Sequence, residues 1–350
     1  MHDTFYLVFI LSRIDVFHPA VRLLKACVMP KAIYTNSTTN RTTGIGSPGI
    51  YKGQPGTVLQ HVHDGDTLNV VPQGNIGVRF LGIDTPEVSF AYPGPKLNFV
   101  SLNDARWNEF LSEPFSNQQP PFQDEISDSL KQFLLAKVVN QPGTVHSQHA
   151  EAATTGLRSM ITADMRIMGQ DASEFAYYLS FGFEIMDGYG RFLCMVNRNQ
   201  PKQNVPTVRP ATYNHRMLQQ GLAFPYFIWP NVNPWDRPTS VINAVIPVGS
   251  AKDLAEADQE LRTARQHIKD ARTKHLGVFD ATSPCLLEPF ELRALSRRNL
   301  PSRYVIDLTR NSDQLIPPAM YHTVPNSEDR LWIPPEYVPL FVQKGWKVAE

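Results

Sequence analysis

Residues 56–87 read GTVLQHVHDGDTLNVVPQGNIGVRFLGIDTPE, and the reading of this stretch decides the fold. Two short apolar runs, Val58–Val62 and Thr67–Val71, predict strands around the turn His63-Asp64-Gly65-Asp66, where glycine suits a positive φ. A second hairpin is expected at Pro72-Gln73-Gly74-Asn75, leading into a third strand, Ile76–Leu81. Side chains alternate across a strand, so Ile76, Val78 and Phe80 share one face and Arg79 points from the other. With residues 71 and 76 flanking the turn, antiparallel register sets Asp66 opposite about residue 81. Asp66 thus comes close to Asp84, with Glu87 one short loop further. The pattern predicts a site.

Carboxylate oxygens with no nearby cysteine favour Ca²⁺ or Mg²⁺ over a softer metal. An arginine beside them repels the metal, so Arg79 makes sense if an anion comes between, and a phosphodiester is the natural candidate. A carboxylate left off the metal can orient or activate a water. His61 and His63 share a strand face and suggest zinc instead, but a zinc hydrolase needs further ligands. His146 and His149 supply no matching pattern.

The rest of the chain sets limits. Its 350 residues can bury one large core or two ordinary ones, and an apolar content of 42% is that of a globular chain. Lys plus Arg and Asp plus Glu both number 33, so the formal charge is zero. That balance weighs against long-range steering of nucleic acid and permits a local grip on one or two phosphates. Three cysteines, Cys27, Cys194 and Cys285, are too few and too scattered for a disulfide framework. The apolar run Phe5–Leu11 is too short to span a bilayer. Arg13 and Asp15 interrupt it before a signal peptide forms, which favours the cytoplasm over export.

Residues 34–50 read as a flexible polar arm. Asp124–Val139 has helical spacing within the long segment 88–145, and His149–Met168 predicts a helix with Leu157, Met160, Ile161 and Met165 inward. Phe175–Phe181 and Arg191–Val196 predict two more strands, joined through Asp187-Gly188-Tyr189-Gly190-Arg191. Tyr213–Leu222 reads as a short helix ended near Gly221, and Phe224–Trp229 as an aromatic loop. Residues 251–275 read as the longest helix. Arg303–Leu308 suggests a strand, and the role of residues 281–350 is not legible.

Several of these blocks, taken together, resemble the staphylococcal nuclease (thermonuclease) family. They are Asp64-Gly65-Asp66-Thr67, the run Val78-Arg79-Phe80-Leu81-Gly82-Ile83-Asp84-Thr85-Pro86-Glu87, and Asp187-Gly188-Tyr189-Gly190-Arg191. Gln220-Gly221-Leu222-Ala223 and Leu276-Gly277-Val278-Phe279 extend the resemblance, which covers about residues 55–280. The resemblance implies an α+β fold: a five-stranded OB-type β-barrel with about three packed helices. It divides the chain into an arm, 1–50, a nuclease-like domain, 51–280, and a C-terminal extension, 281–350. The family has a shorter connection at 88–145, so this segment reads as an insertion that the barrel can lose and still fold. Calcium is the implied cofactor, held by Asp66, Asp84 and the Thr85 carbonyl. Arg79, Glu87 and Arg191 are the implied catalytic residues, and Tyr189 and Tyr226 the implied nucleotide contacts. The expected activity is calcium-dependent hydrolysis of DNA and RNA, unpaired strands favoured, with little sequence specificity. A catalytically inactive OB-type module that binds nucleic acid or protein is the alternative.

Overall fold

The computed structural model describes residues 31–36, 38–39, 41–50, 67, 69–94, 98–138, 140–200, 208–236 and 238–349. The first two predicted strands fall mostly, and Asp64, Asp66, His61 and His63 wholly, outside the described residues. The chain divides into two units, residues 1–32 with 44–75, and residues 33–43 with 76–350. In the first, strand Gly46–Pro48 pairs antiparallel with Val70–Pro72, Ser47 opposite Val71. Everything below concerns the second.

Its elements begin with two paired strands, Ile33–Asn36 and Arg41–Gly44, in the stretch expected to be a flexible arm. Four short strands follow: β1 (Val78–Phe80), β2 (Gly82–Asp84), β3 (Ser89–Tyr92) and β4 (Asn98–Ser101). Helices α1 (Ala105–Ser112), α2 (Asp128–Leu135) and α3 (Pro142–Met168) follow. Strands β5 (Tyr177–Met186) and β6 (Phe192–Arg198) lead to α4 (Tyr213–Gln219) and β7 (Phe224–Ile228). Helices α5 (Ala251–Ala257), α6 (Gln259–Thr273) and α7 (Pro289–Arg297) precede strands β8 (Tyr304–Asp307) and β9 (Arg330–Ile333). The class is α+β. Among the described residues no helix is long and apolar enough to cross a membrane.

The strands do not close on themselves among the described residues. One sheet has the order β1-β6-β5, with β1 and β6 parallel; another has the order β8-β9-β7-β2. The third strand was expected against residues 67–71. It pairs instead with β6, Arg79 beside Leu193, and Phe192 N donates to Gly77 O at 2.8 Å. The predicted strand Ile76–Leu81 is shorter, Val78–Phe80, and a second strand that was not expected starts beyond it at Gly82. The Gly82 φ of +73°, easy only for glycine, turns the chain from β1 into β2.

The second sheet is buried on both faces, and its residues alternate between two cores. Ile83, Phe227, Ile306, Leu331 and Ile333 enter the first core, with α3, α4, α5 and α6. Tyr226, Ile228, Val305 and Trp332 enter the second. There they meet Phe90, Val100, Trp107, Leu111 and Leu130 from the expected insertion, and Phe290 and Leu295 from α7. The segments 88–145 and 281–350 therefore build one core jointly.

Four further expectations change. The aromatic stretch 224–230 is a strand, not a loop. Pro225 is tolerated because β7 gains its partner β9 only from Phe227 onward, leaving the proline one paired edge. The longest helix is α3, 27 residues, and it starts at Pro142 rather than His149. A proline in the first turn lacks only an N–H that the helix does not use. Residues 251–275 form two helices, because Asp258 takes an extended ψ of 115° and caps α6 by accepting from Leu261 N. The helices also outnumber the three expected.

Candidate active site

Arg79 leaves β1 on the face opposite Val78 and Phe80, which pack on the first core. The Gly82 turn brings Asp84, at the end of β2, back under it. Arg79 Nη2 donates to Asp84 Oδ1 at 2.6 Å, and Asp84 is only 2% exposed. Asp84 also faces Phe224 across the β2–β7 ladder, which fixes its backbone. The loop that follows carries Glu87, and His146 of α3 fastens it: Glu87 N donates to His146 Nδ1 at 2.9 Å. Since Nδ1 accepts there, the ring proton belongs on Nε2. His146 is fully buried, and burial pushes its pKa down to about 4, so the ring is neutral at pH 7.

The residue that completes the cluster is Arg293, from α7. Its Nη1 donates to Glu87 Oε1 at 3.0 Å and to Asp84 Oδ1 at 3.3 Å, and its Nη2 donates to Asp84 Oδ2. Burial works against this guanidinium's charge, but Asp84, with Tyr226 and Glu87, holds the Arg293 pKa above the ordinary value. Glu87 answers to the same forces with the opposite balance. Burial, aided by the neighbouring Asp84 charge, raises its pKa against the pull of Arg293 and Arg79. Beside Glu87 lies a cleft of about 280 Å³ between the loop and α3, lined by Thr85, Ala150, Ala153 and Thr154 among others.

The other expected residues lie as follows. Arg191 closes a turn built on Asp187, whose Oδ1 accepts from the backbone of Tyr189 and Arg191 and whose Oδ2 accepts from Arg191 Nε at 2.7 Å. The parallel register puts Arg191 beside Gly77, on the same face as Arg79 and about 7 Å along it. Arg191 is bound to Asp187 and makes no contact with the carboxylates of the cluster. Tyr189 is 63% exposed, with the Arg191 guanidinium over its ring. Tyr226 is an internal residue: it stacks on Phe290 and takes a hydrogen bond from Arg303 at 3.1 Å. Asp66 lies outside the described residues.

A calcium ion does not fit the cluster as it stands. Both Asp84 oxygens accept from guanidiniums and Glu87 is tied to one of them, so a divalent cation would sit against two positive groups. Among the described residues no three His, Cys, Asp or Glu side chains converge on a point that could hold a metal.

Sequence reading missed Arg293 and took His146 for a patternless histidine. The helix carrying Arg293 has a legible start in Glu288-Pro289 with Glu291, a reciprocal cap. Nothing local in the sequence links it to Asp84. In comparisons with known proteins, no family model, no curated protein and no solved structure matches the chain.

Proposed function

We propose that the chain hydrolyses phosphodiester bonds of DNA and RNA, as the resemblance to the thermonuclease family implies. The observation that supports this reading is the convergence of Arg79, Asp84 and Glu87, with Glu87 lining an open cleft. In the proposed reaction Arg79 binds a phosphate oxygen and neutralises the charge that grows on it. Glu87, held in place through His146, orients the attacking water and takes its proton. Arg191 serves the same phosphate from the neighbouring position on the sheet face once it leaves Asp187. Tyr189 offers an exposed ring to a base. The resemblance also implies calcium on Asp66, Asp84 and Thr85, whereas Asp84 is here held by guanidiniums, and the roles of Arg79 and Glu87 do not depend on it. In the same reading β1, β6 and β5 belong to the five-stranded OB-type barrel that the resemblance implies.

The test is cleavage of single-stranded DNA and RNA by the purified chain, with and without calcium. Glu87→Gln should lower turnover by about 10²–10⁴-fold. A loss under threefold would take the base role from Glu87.

One observation favours a second reading, the catalytically inactive OB-type binding module. Arg293 satisfies both carboxylates from within the chain, as an internal counter-ion would in a site that does no chemistry. Binding of oligonucleotide with no cleavage under any metal condition would decide for it.

A further inference from the structure

We infer that Arg293 competes with a divalent cation for Asp84 and Glu87, so that the segment beyond residue 280 sets how readily the site takes up metal. The guanidinium spans the two carboxylates, with both terminal nitrogens on Asp84 and one also on Glu87. Such a planar two-pronged grip is the strongest arrangement an arginine makes with a carboxylate. A cation binding these oxygens must first displace it.

The grip is held by the second core. Leu292 and Leu295 of α7 are completely buried, and Phe290 nearly so. Glu291, at the first turn, accepts from Tyr321 at 2.8 Å and from Lys137 at 2.7 Å, and Glu288 accepts from Arg330 at 2.8 Å. Withdrawing α7 would take Glu288 and Glu291 with it and leave the buried Arg330 and Lys137 without their carboxylate partners, which is strongly unfavourable. The Arg293 side chain is different, because it keeps 20% of its surface exposed and can rotate away while the helix stays. Release is therefore a side-chain event on a fixed helix. Lys137 belongs to the 88–145 segment, so both additions to the resembling domain hold the plug in place.

The inference rests on the proposed function only in its choice of calcium as the cation. Binding is read without substrate, so a failure to exclude calcium is told apart from a failure to cleave. Calcium is titrated by calorimetry into the full chain, into Arg293→Met and into Arg293→Met/Asp84→Asn. Arg293→Met should bind calcium at least about tenfold more tightly than the original chain, as two freed carboxylates would allow. The double variant should lose that gain, which locates the ion at Asp84. Equal calcium affinity with and without Arg293 overturns the inference. Should Arg293→Met fail to fold, the original chain decides alone: calcium should not raise its melting temperature. A rise that Asp84→Asn removes would overturn the inference, since it would show calcium seated beside Arg293.

Discussion

His146 is neutral in the fold, while an exposed histidine takes up a proton near pH 6.5. Its folded pKa of about 4 lies below the unfolded value, so the unfolded chain binds the extra proton between these limits. Stability contributed this way is complete above pH 6.5 and is lost as pH falls toward 4. The expected loss is on the order of 3 kcal/mol. His146→Gln keeps an acceptor for Glu87 N and cannot take a proton. Thermal melts between pH 7 and 4 should therefore fall more steeply for the original chain than for the variant. Parallel curves would refute the assignment of a neutral ring. At this scale the sequence brought Arg79 and Asp84 to one site but set an anion between them, whereas the two side chains bond directly. His146 and Arg293 were not legible, since they reach the site from helices whose approach depends on tertiary packing. A carboxylate in a sequence does not name the cation that neutralises it.

The Gly82 turn joins the two sheets, with β1 in one and β2 in the other. Gly82→Ala would place a Cβ about van der Waals distance from Phe227, 3.7 Å, so space is not the obstacle. Its φ of +73° is, at a cost of about 1–2 kcal/mol for an L-residue. Chemical denaturation should show a loss of that size, and a loss below a few tenths would mean that the turn relaxes. The sequence placed strands at 76–81, 175–181 and 191–196, where β1, β5 and β6 lie, although β5 runs on to Met186. Phe224–Ile228 was not legible as a strand, because prolines at 225 and 230 read as loop punctuation and its partner strand lies at 330–333. The blocks Gln220–Ala223 and Leu276–Phe279 lie more than fifty residues apart in the sequence, yet they touch. Val278 N donates to Gly221 O at 2.8 Å, and a Cβ on either Gly221 or Gly277 would run into the other segment's backbone. Glycine at both places answers a close approach that no local pattern displays.

At the scale of the molecule, the segment expected to be dispensable is structural. Deleting residues 90–143 removes Trp107, Leu111 and Leu130 from the second core and takes Lys137 from Glu288 and Glu291. The shortened chain should lose its cooperative melt and its near-ultraviolet circular dichroism, because Phe290, Leu295 and Trp332 face water without it. A folded product with an unchanged melt would restore the reading of 88–145 as a detachable loop. That shared core escaped the sequence because its halves lie some two hundred residues apart, each too short of apolar residues to look like a domain. The sheet order β8-β9-β7-β2 has a bearing on how the protein is made. Strand β9 lies between β7 and β8, yet it leaves the ribosome roughly a hundred residues after β7, a delay of about 5–20 seconds at ordinary rates of translation. Throughout that interval β7 has β2 on one edge and nothing to its other side, with Phe227 and Ile228 awaiting Leu331 and Trp332. Nascent chains halted between these two strands would be adhesive and would engage chaperones, and release of β9 from the exit tunnel would end that state.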